Sequence, residues 1–312
     1  VHAVKDQESE TLQTLLEWRR AGHSVDLVTV AATWSSAPRP PGSMAVVRDD
    51  GAVAGSVSGG CIERELVAAR RTNAKVHDAT LVVSNHAAQA IGLTCGGELN
   101  LIFDSVDNLG TIEAVVHALG NRQRLVRTTN VCNGTASIRE ATPADRFAWD
   151  GTHLQCVHGP AWRVVLIGAG QLSRYVARFA HAVDFDVVVC EPRAAFREGF
   201  DIDGAKLIDA LPDDAVADYA SDSQTAVLAL THEPTLDDLA LEEALGADCF
   251  HIGALGSLQS HEKRIARLSS LGVLPETMDR ISAPVGIDIG SRSAAEIAVS
   301  IVAELVAARA AG

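Results

Sequence analysis

The chain has 312 residues, 47% of them hydrophobic and 21% charged, which fits a globular protein of two domains at roughly 100–200 residues each. Its 40 Asp and Glu outnumber 26 Lys and Arg, and the net charge of -14 excludes the net basic surface that a nucleic acid or an anionic membrane requires. An anionic small molecule stays open, because it needs only a few local donors.

Residues 1–20 carry Asp6, Glu8, Glu10 and Glu17 without an apolar core, so they do not form a secretory signal. No apolar run approaches the roughly 18 residues of a membrane span, and the chain reads as cytoplasmic. Thr11 to Ala21 has helical spacing through Leu12, Leu15, Leu16 and Trp18, and Gly22 ends it. Val25 to Thr33 is a strand, followed by a Ser- and Pro-rich turn through Gly42. Met44–Val47 and Ala52–Val57 flank Asp49-Asp-Gly51 as a hairpin. A helix over Cys61–Arg71, strands at Leu81–Val83 and Leu99–Phe103, and a helix over Ile112–Leu119 complete a mixed α/β domain, residues 1–155.

Residues 150–160 show no strong periodicity, and the domain boundary is placed there. Beyond it, strands near 163–168, 186–190, 225–230 and 249–253 alternate with helices near 171–183, 235–245, 258–271 and 293–309. Such alternation predicts a Rossmann-like parallel sheet with helices on both faces, residues 160–312.

Arg163-Val-Val-Leu-Ile-Gly-Ala-Gly-Gln-Leu-Ser173 ends a buried strand in G-x-G-x-x-S. Gly168 permits the tight turn, Gly170 lets a phosphate approach, and the next helix offers its free N–H groups. Ser173 in the third position predicts slightly looser helix–strand packing. Glu191 closes the second strand where an acid would bind a ribose hydroxyl, and Arg193 is placed to meet a phosphate instead. His232 at the end of a later strand is a ligand contact or an ordinary hydrogen-bonding histidine. Gly253, Gly256 and Ser257 form a second glycine turn, and Ser293 with Glu296 has capping-box spacing.

The six cysteines show no close C-x-x-C spacing, so each is judged by its surroundings. Cys132, Cys156, Cys190 and Cys249 read as small buried hydrophobes. Cys61 follows Gly55-Ser-Val-Ser-Gly-Gly60 at a helix start, where Ser58, Gly59, Gly60 and the first N–H groups form an anion nest that also favours a thiolate. Cys95 stands beside Gly96 and Gly97 in the same way. These two thiols are the candidates for chemistry.

Together with Ser36-Ala-Pro-Arg-Pro-Pro-Gly42, Glu191-Pro-Arg193, Ile252–Ser257, Pro284–Gly290 and Glu296–Ser300, these strings resemble the XdhC/CoxI family of xanthine dehydrogenase accessory factors over nearly the whole length. The resemblance implies binding of the molybdenum cofactor, help with its sulfuration, and delivery to a xanthine-dehydrogenase-type molybdoenzyme. A cysteine desulfurase and a second copy of the chain are the further expected partners. By the same resemblance Cys61 is the thiol that contacts molybdenum, Cys95 the second catalytic cysteine, and the glycine turns hold the pterin phosphate. Gln171, Leu258 and Ala294 stand where the family commonly has His, Arg and Pro.

Three alternatives remain. One is an NAD(P)-dependent oxidoreductase using the Rossmann fingerprint, although the sequence shows no His or Lys paired with an acid as a proton relay. Another is a chain called xanthine dehydrogenase by association with its partner, which lacks the closely spaced iron–sulfur cysteines of that enzyme. A pure interaction scaffold leaves the glycine–cysteine turns unexplained.

Overall fold

The computed structural model describes residues 7–34, 39–58, 62–70, 75–83, 97–142 and 144–311. The chain divides into two compact units, one over Lys5–Pro160 and one over Ala161–Gly312.

In the first unit, helix α1 (Gln7–Arg20) precedes strands β1 (Val25–Trp34), β2 (Met44–Arg48) and β3 (Val53–Gly55). Helix α2 (Glu63–Ala69), strands β4 (Val76–Val83) and β5 (Gly97–Asp104), and helix α3 (Leu109–Gly120) follow. The five strands pair antiparallel in the order β3-β2-β1-β5-β4. Strand β1 is buried from Val25 through Ala31 because both of its faces are covered. Val28 and Val30 pack with Leu66 of α2, while Val25 and Leu27 pack with Leu12 and Leu15 of α1 and with Ile112 of α3. Two buried ion pairs brace this layer: Arg70 Nε to Asp26 at 2.6 Å and Arg127 Nη2 to Asp104 at 2.6 Å.

A second antiparallel sheet in this unit, ordered β7-β6-β9-β8, was not visible in the sequence. It comprises β6 (Leu125–Asn130), β7 (Ala136–Glu140), β8 (Ala148–Trp149) and β9 (His153–His158). The segment read as lacking periodicity therefore ends in a strand, whose alternate residues Leu154, Cys156 and His158 are buried. A histidine at the last buried position and Val157 on the opposite face blur the alternation in a hydrophobicity pattern.

The second unit runs β10 (Arg163–Ile167), α4 (Gln171–Ala182), β11 (Asp186–Cys190), α5 (Ala194–Arg197), β12 (Ala205–Ile208) and α6 (Pro212–Tyr219). It continues with β13 (Thr225–Ala229), α7 (Pro234–Gly246), β14 (His251–Ala254), α8 (Leu258–Ser270), α9 (Pro275–Met278), β15 (Ile281–Ser282) and α10 (Ala294–Ala311). All pairings are parallel and the order is β12-β11-β10-β13-β14-β15, the 3-2-1-4-5-6 order of a Rossmann domain. Strand residues alternate between two cores, as period-2 geometry dictates. Val164, Leu166, Val187 and Leu228 pack with α4 and α10, while Val165, Ile167, Val188 and Val227 pack with α6, α7 and α8. The capping box of α10 forms as its spacing predicts: Ser293 N–H donates to Glu296 at 2.9 Å, and Glu296 N–H donates to Ser293 Oγ at 3.3 Å.

Candidate functional site

The register of the parallel sheet builds the site. Ile167 pairs with Cys190 on one side and Ala229 on the other, and Ala229 pairs with Ala254. Gly168, Glu191, Leu230 and Leu255 therefore leave the sheet at one level. Chain order reverses between β10's two neighbours, which opens a crevice at this carboxyl edge. A cleft of about 390 Å³ lies there, lined among others by Gly170, Gln171, Arg193, Thr231, His232 and Ala294.

Gly168 has φ +103°, and a Cβ on it would stand 2.9 Å from Thr231 Cγ2 and 3.2 Å from Thr231 Cα. Only glycine lets the β10 turn lie against the β13 turn so closely. Gly170 is different. It caps α4 with extended backbone, and nothing lies within 4 Å of where its Cβ would stand. No acid occupies the first turn of α4, so the helix start offers backbone N–H groups and a positive field to an anion. Ser173 is fully buried within the first turn of α4, with no hydrogen-bond partner for its hydroxyl among the described residues. The third fingerprint position is therefore buried against the sheet side of the helix with a polar atom left unpaired.

Glu191 is fully buried, and both carboxylate oxygens are engaged. Ala169 N–H donates to Oε2 at 3.0 Å, Arg193 N–H and Nε donate to Oε1 at 3.0 and 2.7 Å, and Arg193 Nη2 donates to Oε2 at 2.8 Å. Burial works against the charge, but these donors outweigh it and hold the carboxyl below its ordinary range. The acid at the ribose position is thus committed to the glycine turn and to its own neighbour. The Arg193 guanidinium lies over Phe196 with 4.1 Å between Cζ and the ring centroid, and its Nη1 donates to Glu233 at 2.7 Å. Glu233 was not singled out in the sequence. Its one signal was its place just before Pro234 at a helix start.

Across the crevice, Thr231 N–H and Oγ1 donate to buried Asp237 Oδ1 at 3.1 and 2.7 Å, which fixes the β13 turn. Burial pushes Asp237 above the usual carboxylate range, against these bonds and nearby Arg264. His232 follows in the left-handed region, φ 62°, with its side chain exposed at the cleft. In the second glycine turn Ser257 caps α8, accepting from Ser260 N–H at 3.2 Å, and Gly256 has φ +134°. Gly253 lies inside β14, where a Cβ would meet Leu228 and Val285 at 2.6 Å each. Of the three departures from the family pattern, Gln171 and Ala294 line the cleft, and Leu258 stands exposed at the start of α8.

In the first unit Ser58 is buried and Gly97 begins β5. Gly59, Gly60, Cys61, Cys95 and Gly96 lie outside the described residues. Burial pushes Cys156, Cys190 and Cys249 up to about 12, as buried thiols should be. Cys132, expected to be buried, is exposed in the turn between β6 and β7. Histidine–carboxylate pairs do occur, His158 with Glu8 and His251 with Glu304, but they do not line the cleft. Among the described residues no group of three or more His, Cys, Asp and Glu is arranged to hold a metal, and no helix is long and apolar enough to cross a membrane.

Comparison with known proteins gives two family models, two relatives and one solved structure. A model of the XdhC Rossmann domain matches residues 164–305, and a model of the XdhC and CoxI family matches residues 18–82. The chain is 27% identical over 309 residues to the molybdenum cofactor insertion chaperone PaoD of Escherichia coli (strain K12), covering 98% of this chain and 90% of that one. It is 31% identical over 151 residues to one component of a probable xanthine dehydrogenase of Bacillus subtilis (strain 168), 48% of this chain and 44% of the relative. A crystal structure called a xanthine dehydrogenase, from Bacillus halodurans, shares the fold with a TM-score of 0.68, 22% identity and 96% coverage of both chains.

Proposed function

This chain belongs to the XdhC and CoxI family, and from that premise we propose that it is an accessory factor that binds the molybdenum cofactor and delivers it to a xanthine-dehydrogenase-type molybdoenzyme. The near full-length similarity to PaoD supports that cargo. The observation that carries the reading is the contrast between Gly170 and Glu191. One opens a helix start toward a phosphate, and the other, the acid that would read a ribose, is locked to Ala169 and Arg193.

The cofactor is cargo here, and its pterin carries the phosphate that the Gly168–Gly170 turn would take. Backbone N–H groups at the start of α4 are its donors, and Arg193 is the cation lining the cleft beside them. In the first unit Cys61 and Cys95, each beside two glycines, are proposed as the reactive thiols of the sulfuration step, with a cysteine desulfurase as the source of the sulfur. Ser58, Gly59, Gly60, Gly96 and Gly97 are proposed as the anion-binding neighbours of these thiols.

The test is to purify the chain from cells that make the cofactor. Molybdenum and pterin bound one to one, with activation of an apo-molybdoenzyme that requires this chain, is the expected result. Cys61→Ala should lower molybdenum retention or sulfido transfer without unfolding the chain. A wild-type chain that holds no molybdenum and activates nothing sinks the reading.

The 3-2-1-4-5-6 strand order favours a second reading, an NAD(P)-dependent oxidoreductase. The commitment of Glu191 counts against a ribose contact, and the histidine–carboxylate pairs stand away from the cleft. Saturable NADH binding with turnover of a carbonyl substrate would reverse the ranking.

A further inference from the structure

Strand β10 lies between β11 and β13, so residues just beyond those two neighbours stand about 10 Å apart, two strand spacings. Arg193 follows β11 and Glu233 follows β13, yet Arg193 Nη1 and Glu233 Oε2 meet at 2.7 Å. Their side chains therefore arch over the carboxyl end of β10, where Gly168 to Gly170 turn into α4. Glu233 is the residue preceding α7, but its carboxylate makes no cap to that helix. It turns to the arginine instead.

From this arrangement we infer that Arg193 is the side chain that reads a ligand's phosphate in this cleft, and that Glu233 is a built-in competitor whose carboxylate the phosphate displaces. The inference rests on the reading that the cleft takes a phosphate-bearing ligand. Glu191 is the positioning residue. It grips Nε and Nη2 as a fork and leaves Nη1 as the donor aimed across the crevice, while Phe196 supports the guanidinium plane. A diphosphate arriving at Gly170 either lies under the Arg193–Glu233 bridge or breaks it. Breaking it exchanges one anionic acceptor for another at the same donor, so the arginine is never left uncompensated. Glu233 is half exposed and rehydrates on release, so the exchange is reversible on ligand departure.

Inorganic pyrophosphate is the probe, with binding measured by calorimetry at low salt on the full chain. Glu233→Gln removes the competitor and should tighten binding about fivefold, the scale of a partly exposed ion pair. Arg193→Gln should weaken it by at least that factor, and Arg193→Lys should not restore it, because lysine cannot make the fork to Glu191. Glu242→Gln, an exposed acid of α7, is the control for net charge and should change binding less than twofold. Equal binding by Glu233→Gln and wild type overturns the inference, as does a Glu242→Gln effect matching that of Glu233→Gln, or no pyrophosphate binding by any variant at millimolar concentration. Molybdenum loading of the same samples separates the two proposals. Loading by wild type with no effect of Glu233→Gln removes the bridge alone, and tightening without any loading removes the cargo alone.

Discussion

Glu191 accepts from the backbone N–H of Ala169 across 22 residues of chain, which ties the end of β11 to the middle of the glycine turn after β10. The same carboxylate receives the Arg193 fork, so one buried acid sets the shape of the turn and the direction of the cleft's arginine. Replacing it with alanine leaves a buried N–H and a partly buried guanidinium without their acceptor. Glu191→Ala should lower unfolding free energy by about 3 kcal/mol, the lower end for a broken buried pair because Arg193 regains some water. Urea denaturation of the two proteins reads this directly, and a loss below about 1 kcal/mol would show that the turn holds its shape without the acid.

The two turn glycines should separate stability from binding. Gly168→Ala forces φ +103° on an alanine and drives its Cβ against the Thr231 backbone, so the melting temperature should fall by several degrees. Gly170→Ala meets open space, and its backbone suits any residue. Its fold should be intact while its methyl occupies the approach of a phosphate. Equal pyrophosphate affinity in Gly170→Ala and wild type would move the anion away from this turn.

The parallel sheet was legible because buried strands and amphipathic helices alternate, and because Gly168, Gly170 and Glu191 fall at fingerprint spacing. What Glu191 does was not legible. Spacing places an acid at the strand end but cannot say whether its oxygens face a ribose or the N–H of Ala169. Pairs such as His158 with Glu8, 150 residues apart, depend on tertiary packing and leave no local trace. Strands β6–β9 were missed because their buried positions include Arg127, Thr129 and His158, polar groups that carry no hydrophobic period. Arg127 is satisfied by Asp104 and Thr129, partners that only the fold supplies.

The cysteines give a chemical test. Thiols at about 12 are thiolate in roughly one molecule in ten thousand at pH 8, and Cys156, Cys190 and Cys249 are also buried. Iodoacetamide on the native chain should leave these three unmodified and label exposed Cys132, as read by peptide mass spectrometry. Labelling of Cys190 or Cys249 at the rate of Cys132 would mean that the second unit opens readily in solution.

Glu191 and Asp237 flank the crevice with opposite pH signs. Glu191 is held below its ordinary value of 4.5, so its contribution is fully present above that pH and is lost as pH falls through the folded value. Asp237 is raised above 3.8 by burial, so the folded chain takes up this proton first, and stability is gained as pH falls from the raised value toward 3.8. Asn at 237 keeps an Oδ1 acceptor for both Thr231 donors and removes the buried charge, with Arg264 and Asp238 as the charged neighbours that feel the change. Asp237→Asn should therefore be at least as stable as wild type at pH 7 and should lose that advantage by pH 4, giving a steeper acid limb. Glu191→Gln should give a shallower one, because the group whose protonation weakens the fold is gone. Urea midpoints at pH 7, 5 and 4 decide the matter. A difference between Asp237→Asn and wild type that stays constant with pH, or grows in favour of Asn as pH falls, would mean that Asp237 is not the group taking up the proton.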